Sequence, residues 1–235
     1  MRRLLVWLFS LINIIPLLKG VIMGNIQVKH SRFFNCFNPI KIHKDNRLEI
    51  EHVFFNKSKL FISGMHNTMR IRGADIYNCH IQIFGNGNKI EIEEGCKIYN
   101  THVILRGTNS VIHIRSKSTI GSGCLVCMGI TNRIDIGHEC MFGDEIEIWN
   151  TDSHPIFFSD NIHQAINPSR KIQIGNHVWL GKSTVILKGV TIGDDCVCGM
   201  RSIVTKDVPD NSLVVGSPAR IIKRGISWER EYITI

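Results

Sequence analysis

The sequence predicts an all-β fold built from a stacked repeat, and three observations carry that expectation. Composition is the first: 38 isoleucines stand against three alanines, Ala74, Ala165 and Ala219. β-Branched residues suit strands and alanine suits helices, so a helical bundle is excluded. The second is a six-residue period in the C-terminal third. Aliphatic residues or cysteine recur at Ile174, Leu180, Ile186, Ile192, Cys198 and Val204, and glycine follows four of them, at Gly175, Gly181, Gly193 and Gly199. No α-helix has that period. The third is a 22-residue spacing of Gly85–Ile92, Gly107–Ile114 and Gly129–Ile136, each a Gly/Asn-rich corner leading into alternating isoleucines.

Six residues make one short strand and one tight corner. Three such units close a triangular coil of 18 residues, with the aliphatic residue inward and glycine relieving crowding at the turn. Coils then stack as parallel strands about 4.8 Å apart. The 22-residue copies read as three hexads plus four residues at the Gly/Asn corner, with inward series Ile114, Ile120, Val126 and Ile136, Phe142, Ile148. About eight coils are expected, starting near 28, 50, 71, 92, 114, 136, 174 and 192.

Along the chain, residues 1–23 come first and differ from the rest. Arg2 and Arg3 precede an apolar stretch, Leu4 to Leu18, interrupted by Asn13 and Pro16. A bilayer core needs about 20 apolar residues, so this stretch is short for a span. Two readings remain open: a short helix on an anionic membrane surface through residues 1–22, or a helix capping one end of the fold. The charge sits here too, since residues 1–47 hold eight Lys or Arg and one acid, Asp45, whereas the other 188 hold 20 and 19. A nucleic-acid partner is not expected from so local an excess.

The solenoid follows over 24–224. Cys96, Cys124, Cys140 and Cys196 are expected on one small-residue slot, which makes Cys124-x-x-Cys127 a packing coincidence rather than a disulfide or metal motif. The step from 136 to 174 is the one long interruption and leaves a loop at about 154–171. Long loops on regular scaffolds are usually functional. Residues 225–235 form a C-terminal tail.

These hexads resemble those of the hexapeptide-repeat acyltransferases. The densest resemblance runs from Ile174-Gly-Asn-His-Val-Trp-Leu-Gly181 to Gly216-Ser-Pro-Ala-Arg-Ile-Ile-Lys223, and Ile203 to Arg220 is highly specific to the family. Thr151-Asp-Ser-His-Pro155 and the long early coils resemble the capsule and lipopolysaccharide O-acetyltransferase branch. The resemblance implies a left-handed parallel β-helix, a homotrimer, acetyl-CoA as co-substrate and a saccharide acceptor in the cell envelope. Left-handedness comes from the family alone, because crossovers are ordinarily right-handed. A cytoplasmic protein is implied, peripheral at the inner membrane face if residues 1–22 touch lipid.

Acetyl transfer to a hydroxyl needs a base, an oxyanion donor and a slot for the pantetheine arm. His154 closes a complete coil, starts the long loop and precedes Pro155, and the family's catalytic histidine occupies the matching site. Asp152 is a candidate to orient its imidazole, as is a backbone carbonyl. His138 and His177 read as corner residues, and His163 as a loop residue lining the acceptor. Trp179 stands at an outward position costly to expose, and its family counterpart lies beside the thioester. Family contacts to coenzyme A map onto Trp179, Gly181, Lys182, Met200, Thr205 and Lys223, with Arg220 and Lys223 suited to phosphates. Lys182 and Met200 replace smaller residues. A backbone N–H between Trp179 and Lys182 would hold the oxyanion, and neither acyl-enzyme nor metal is required.

Other readings stay in play. A transferase for serine or a simple sugar fits the same residues, and a non-catalytic trimeric scaffold fits the same fold. A lyase of the γ-carbonic-anhydrase kind needs converging histidines, two of them five apart, whereas His154 and His163 are nine apart. Gly85-x-Gly87 lacks the final glycine and helix of a dinucleotide site.

Overall fold

The computed structural model describes residues 21–23, 25–36 and 40–231. Three sheets of nine, ten and eight strands run the length of the molecule, and the chain visits them in turn. One circuit passes through Lys89–Ile92, Lys97–Tyr99 and Thr101–Thr108. The next circuit lies on it in register, with Ile92 beside Ile114. Val28, Ile50, Ile71, Ile92, Ile114, Ile136, Ile174 and Ile192 stack in one column of the first sheet, and all are buried. They are the eight expected coil starts. Each fully buried isoleucine contributes about 1.5–3 kcal/mol, so the column is a principal source of stability. No helix occurs among the described residues.

The early coils are held at their corners by two ladders. Asn46, Asn67 and Asn88 are buried one above another, and each side-chain oxygen accepts the backbone N–H of the next coil's equivalent residue, at 2.9–3.0 Å. Their amide groups donate to the carbonyls of Gly64, Gly85 and Gly107. These glycines stack in turn: a Cβ on Gly107 would lie 1.9 Å from the Gly129 carbonyl oxygen.

Two expectations need correction, and a third lies almost wholly outside the described residues. In the third sheet Leu125, not Val126, pairs with inward Val103 and Ile148, so the step from Ile120 is five residues. The earlier coils make the same five-residue step, from Phe55 to Leu60, Ile76 to Ile81 and Ile98 to Val103, and the six-residue step begins only at Phe142 to Ile148. Cys124 therefore shares no slot with Cys96, Cys140 and Cys196; it lies on the outer face between His102 and Glu147. Cys127, three residues on along the same strand, is buried inside, so the two thiols face opposite ways. Second, the interruption begins earlier than 154, since the strands stop at Trp149 and resume at Ile172. Third, the expected N-terminal helix or membrane segment falls on residues outside those described, up to residue 20. Val21–Met23 form a strand, antiparallel to Ile26–Lys29, at that end of the coil stack.

The far end closes with an antiparallel hairpin, Ser212–Gly216 against Ala219–Arg224. Burial pushes the Cys96 and Cys127 thiols up to about 12 and Cys140 to about 11, so these cysteines are inert packing groups.

Candidate active site

The long loop leaves and rejoins the solenoid at one residue. Asn150 is fully buried; its amide accepts from the Met128 N–H at 2.7 Å and donates to the Met128 carbonyl at 3.0 Å. The Asn150 carbonyl takes the N–H of Arg170, which ties the two ends of the loop together.

Above this root, three side chains form a clamp. The Asp152 carboxylate accepts from Asn167 Nδ2 at 2.7 Å and from Lys188 Nζ. Asn167 also donates to the His154 carbonyl at 2.9 Å and accepts the Ile156 N–H at 2.7 Å. The His154 N–H donates to the Asp152 carbonyl at 2.7 Å. Lys188, and then Asn167, hold the Asp152 carboxyl below the usual carboxylate range. The backbone of His154 is thus gripped on both sides, while its exposed imidazole makes no hydrogen bond among the described residues. Asp152 does not meet that ring; it acts on the backbone around it.

His138 and His177 are committed elsewhere. The His138 ring meets Ser116 Oγ at 2.8 Å, and His177 meets Asp195 at 2.8 Å and stacks on Trp228 at 4.3 Å. His163 is exposed on the loop. Among the described residues no group of three or more His, Cys, Asp or Glu is placed to hold a metal ion.

The remaining candidates are spread around the triangle. Trp179 lies in the second sheet between Met141 and Val197 and is 39% exposed. Gly181 is buried at the following corner, where a Cβ would come within 2.7 Å of the Met200 N–H. Lys182 and Met200 are exposed on the same corner, and Lys182 Nζ lies 3.2 Å from Glu145. The Lys182 N–H donates no hydrogen bond among the described residues, which leaves it available to a ligand. Arg220 and Lys223 project from the exposed terminal hairpin. Thr205 follows Ile203–Val204 on the corner that also carries His154. No hydrogen bond or ion pair among the described residues joins His154 to Trp179 or Lys182.

Sequence reasoning missed Asn150, Asn167 and Lys188, which hold the loop. It also missed Trp228 and Arg230, which fold the tail back over the coils. None of them lies in a repeat position that marks it out, and the asparagine before Pro168 reads as ordinary turn chemistry.

A family model described as bacterial transferase hexapeptide (six repeats) matches residues 171–206. The polysialic acid O-acetyltransferase of Neisseria meningitidis is 33% identical over 191 residues, spanning 72% of this chain and 88% of that protein. A polysialic acid O-acetyltransferase of Escherichia coli O1:K1 / APEC is 39% identical over 116 residues, 48% of this chain but only 36% of that protein. Among solved structures, the polySia-specific acetyltransferase NeuO superposes with a TM-score of 0.69 at 29% identity, covering 83% of this chain and 90% of that one. The polysialic acid O-acetyltransferase OatWY gives 0.66 at 28%, covering 86% and 92%.

Proposed function

Because this chain belongs to the hexapeptide-repeat acyltransferases, wound as a left-handed β-helix, we propose that it is an O-acetyltransferase that moves an acetyl group from acetyl-CoA to a hydroxyl of a capsule saccharide. The observation that carries this reading is the free imidazole of His154, presented on a loop whose backbone is clamped by Asp152, Asn167 and Lys188. Polysialic acid is the first acceptor to test, since two relatives are named for it.

His154 accepts the proton of the acceptor hydroxyl as its oxygen attacks the acetyl carbonyl. Histidine suits this because its ordinary pKa lies near neutrality. A new C–O bond forms, the C–S bond breaks, and the same proton passes from His154 to the departing thiolate. Negative charge grows on the carbonyl oxygen, and the uncommitted Lys182 N–H is a donor for it. Trp179 offers a flat apolar wall for the thioester end. Gly143, Gly181 and Gly199 keep the adjoining corner low, because a Cβ at any of them would strike the next coil. Arg220 and Lys223 suit the phosphates.

Within one chain His154 and the Trp179–Lys182 corner belong to different sides of the triangle. A homotrimer that sets one subunit's loop against its neighbour's corner would complete the site. Residues 1–22, of which Val21 and Ile22 already belong to a strand, are proposed to touch the membrane surface; no described helix is long and apolar enough to cross a bilayer. Deletion of the segment before Val21 followed by membrane fractionation tests that part.

The direct test is calorimetric titration with acetyl-CoA, which needs no acceptor. Saturable binding near one site per subunit, followed by saccharide-dependent thiol release that His154→Ala abolishes, supports the proposal. Absence of binding at millimolar donor refutes it.

A further inference from the structure

The sequence marks residues 225–235 only as a C-terminal tail, and the structure folds residues 226–231 into a strap. Residues 226–231 run along the outside of the corner between the first and second sheets. They cross five successive coils at Asn211, Asp195, His177, Glu139 and Lys117, each of which has a left-handed backbone with φ between 52° and 60°. At the top, Ile226 and Asn211 exchange two hydrogen bonds of 3.1 Å. Ser227 Oγ reaches Asp195 at 3.4 Å. The Trp228 indole N–H donates to the His177 carbonyl at 2.7 Å, and its ring stacks on the His177 imidazole at 4.3 Å and 8°. Arg230 ends the run by donating to the carbonyls of Cys140, Glu139 and Lys117 at 2.6, 3.2 and 3.3 Å, and to Thr119 Oγ1 at 3.0 Å.

The strap does more than bind coils together. Trp228 is only 7% exposed, and its ring centre lies 5.8 Å from that of Trp179 at an interplanar angle of 43°. An open groove of about 620 Å³ adjoins the pair, lined by Met141 and Trp179 on the coil side and by Ser227 to Glu231 on the strap side. Met141 and Val197, the register neighbours of Trp179, flank it along the sheet and offer no aromatic face to fix its indole. Trp228 supplies that face, and aromatic pairs of this separation favour one tilt over others.

We propose that residues 226–231 are a strap that sets the orientation of Trp179 for the acyl donor, with Trp228 as the positioning residue and Arg230 as its anchor. The inference rests on Trp179 being part of the donor site proposed above.

Full-length Trp228→Ala, Trp228→Phe and Arg230→Gln proteins test it by two measurements. The first is the pattern of NOEs from the Trp179 indole N–H, assigned by its loss in Trp179→Phe, to the side chains of Met141 and Val197; it reads the tilt of the ring, whereas the chemical shift would move with the lost ring current of Trp228 alone. The second is the calorimetric Kd for acetyl-CoA. Trp228→Ala is expected to change the NOE pattern and weaken acetyl-CoA binding about tenfold. Trp228→Phe retains the stack on His177 and is expected to restore most of both, while Arg230→Gln falls between. An unchanged NOE pattern in Trp228→Ala overturns the strap, as does an unchanged Kd. So does a Kd loss that Arg230→Gln matches and Trp228→Phe fails to rescue, because that pattern reports only weakened coils. Should wild-type protein bind no acetyl-CoA, the functional proposal fails, while the NOE pattern still decides whether the strap orients Trp179.

Discussion

The base proposed here, His154, is suited to that role by being both fixed and free. Its N–H and carbonyl are held by Asp152 and Asn167, and its ring has no hydrogen-bond partner among the described residues to compete with a substrate hydroxyl. Replacing it by alanine is expected to lower kcat by about 10²–10⁴ and to leave Tm unmoved, since no packing or hydrogen bond of the ring is lost. Steady-state kinetics and a thermal melt check the two halves. Lys188 works one step removed. Lys188→Met leaves the Asp152 carboxylate with Asn167 alone, loosening the loop root without touching the donor corner. A fall in kcat of about ten- to a hundredfold with the Kd for acetyl-CoA unchanged is expected; a changed Kd would place Lys188 in the donor site instead. The site was only partly legible from sequence for the same reason. His154 stands beside Pro155 at the end of a hexad series, whereas Lys188 and Asn167 meet Asp152 across 36 and 15 residues that no period connects. Asp152 was singled out for its closeness to His154, and its partners proved to be others.

At the scale of the coil, register is enforced by both backbone and charge. Glu49, Arg70 and Glu91 stand at equivalent positions of three successive coils, and the guanidinium bridges the two carboxylates at 2.6 and 2.9 Å. The hydrogen bond from Arg70 is the largest cause holding the Glu49 carboxyl below its ordinary value. A carboxyl with a lowered folded pKa stabilises the fold above its unfolded pKa, about 4.3, and loses that contribution as pH falls through the folded value. Tm is therefore expected to be flat from pH 7 to 5 and to drop below about pH 4. Arg70→Leu should lower Tm at pH 7 and flatten the acid drop, which melts at several pH values would reveal. Glycine acts more sharply. The Cβ of Gly107→Ala would sit against the Gly129 carbonyl, a backbone atom with nowhere to move, so a loss of about 3 kcal/mol or more is expected in urea unfolding. The columns of inward isoleucines were legible because their period is long and regular. The slip at Val126 was not, because Val126 and Leu125 are both aliphatic and buried, so composition does not distinguish the five-residue step of the early coils from the six-residue step of the late ones. The strap was not legible either: Trp228 and Arg230 reach residues 51 to 113 positions away, from a segment with no periodicity.

A triangular solenoid presents its chemistry on separate sides, and this governs how many chains an active site needs. His154 and its clamp stand on the corner after the third sheet, whereas Trp179, Gly181 and Lys182 stand along the second sheet and the corner that follows it. Nothing within the described chain links the two groups, and the clamp holds the His154 backbone in place, so loop motion is a poor means of uniting them. The proposed homotrimer would solve this by setting one subunit's loop against another's corner, so that each contact makes one complete site. Two inactive proteins should therefore repair one another. In a trimer assembled at random from equal amounts of His154→Ala and Trp179→Ala chains, roughly a quarter of contacts pair an intact histidine with an intact tryptophan. Refolding or co-expressing the two variants is expected to recover about a quarter of wild-type activity, while either alone stays inactive. Were both groups to serve the same chain's site, every site in the mixture would carry a lesion and no activity would return. Recovery at that fraction would also identify the assembly as the catalytic unit, with the single coil stack reduced to a scaffold that holds two unlike half-sites apart.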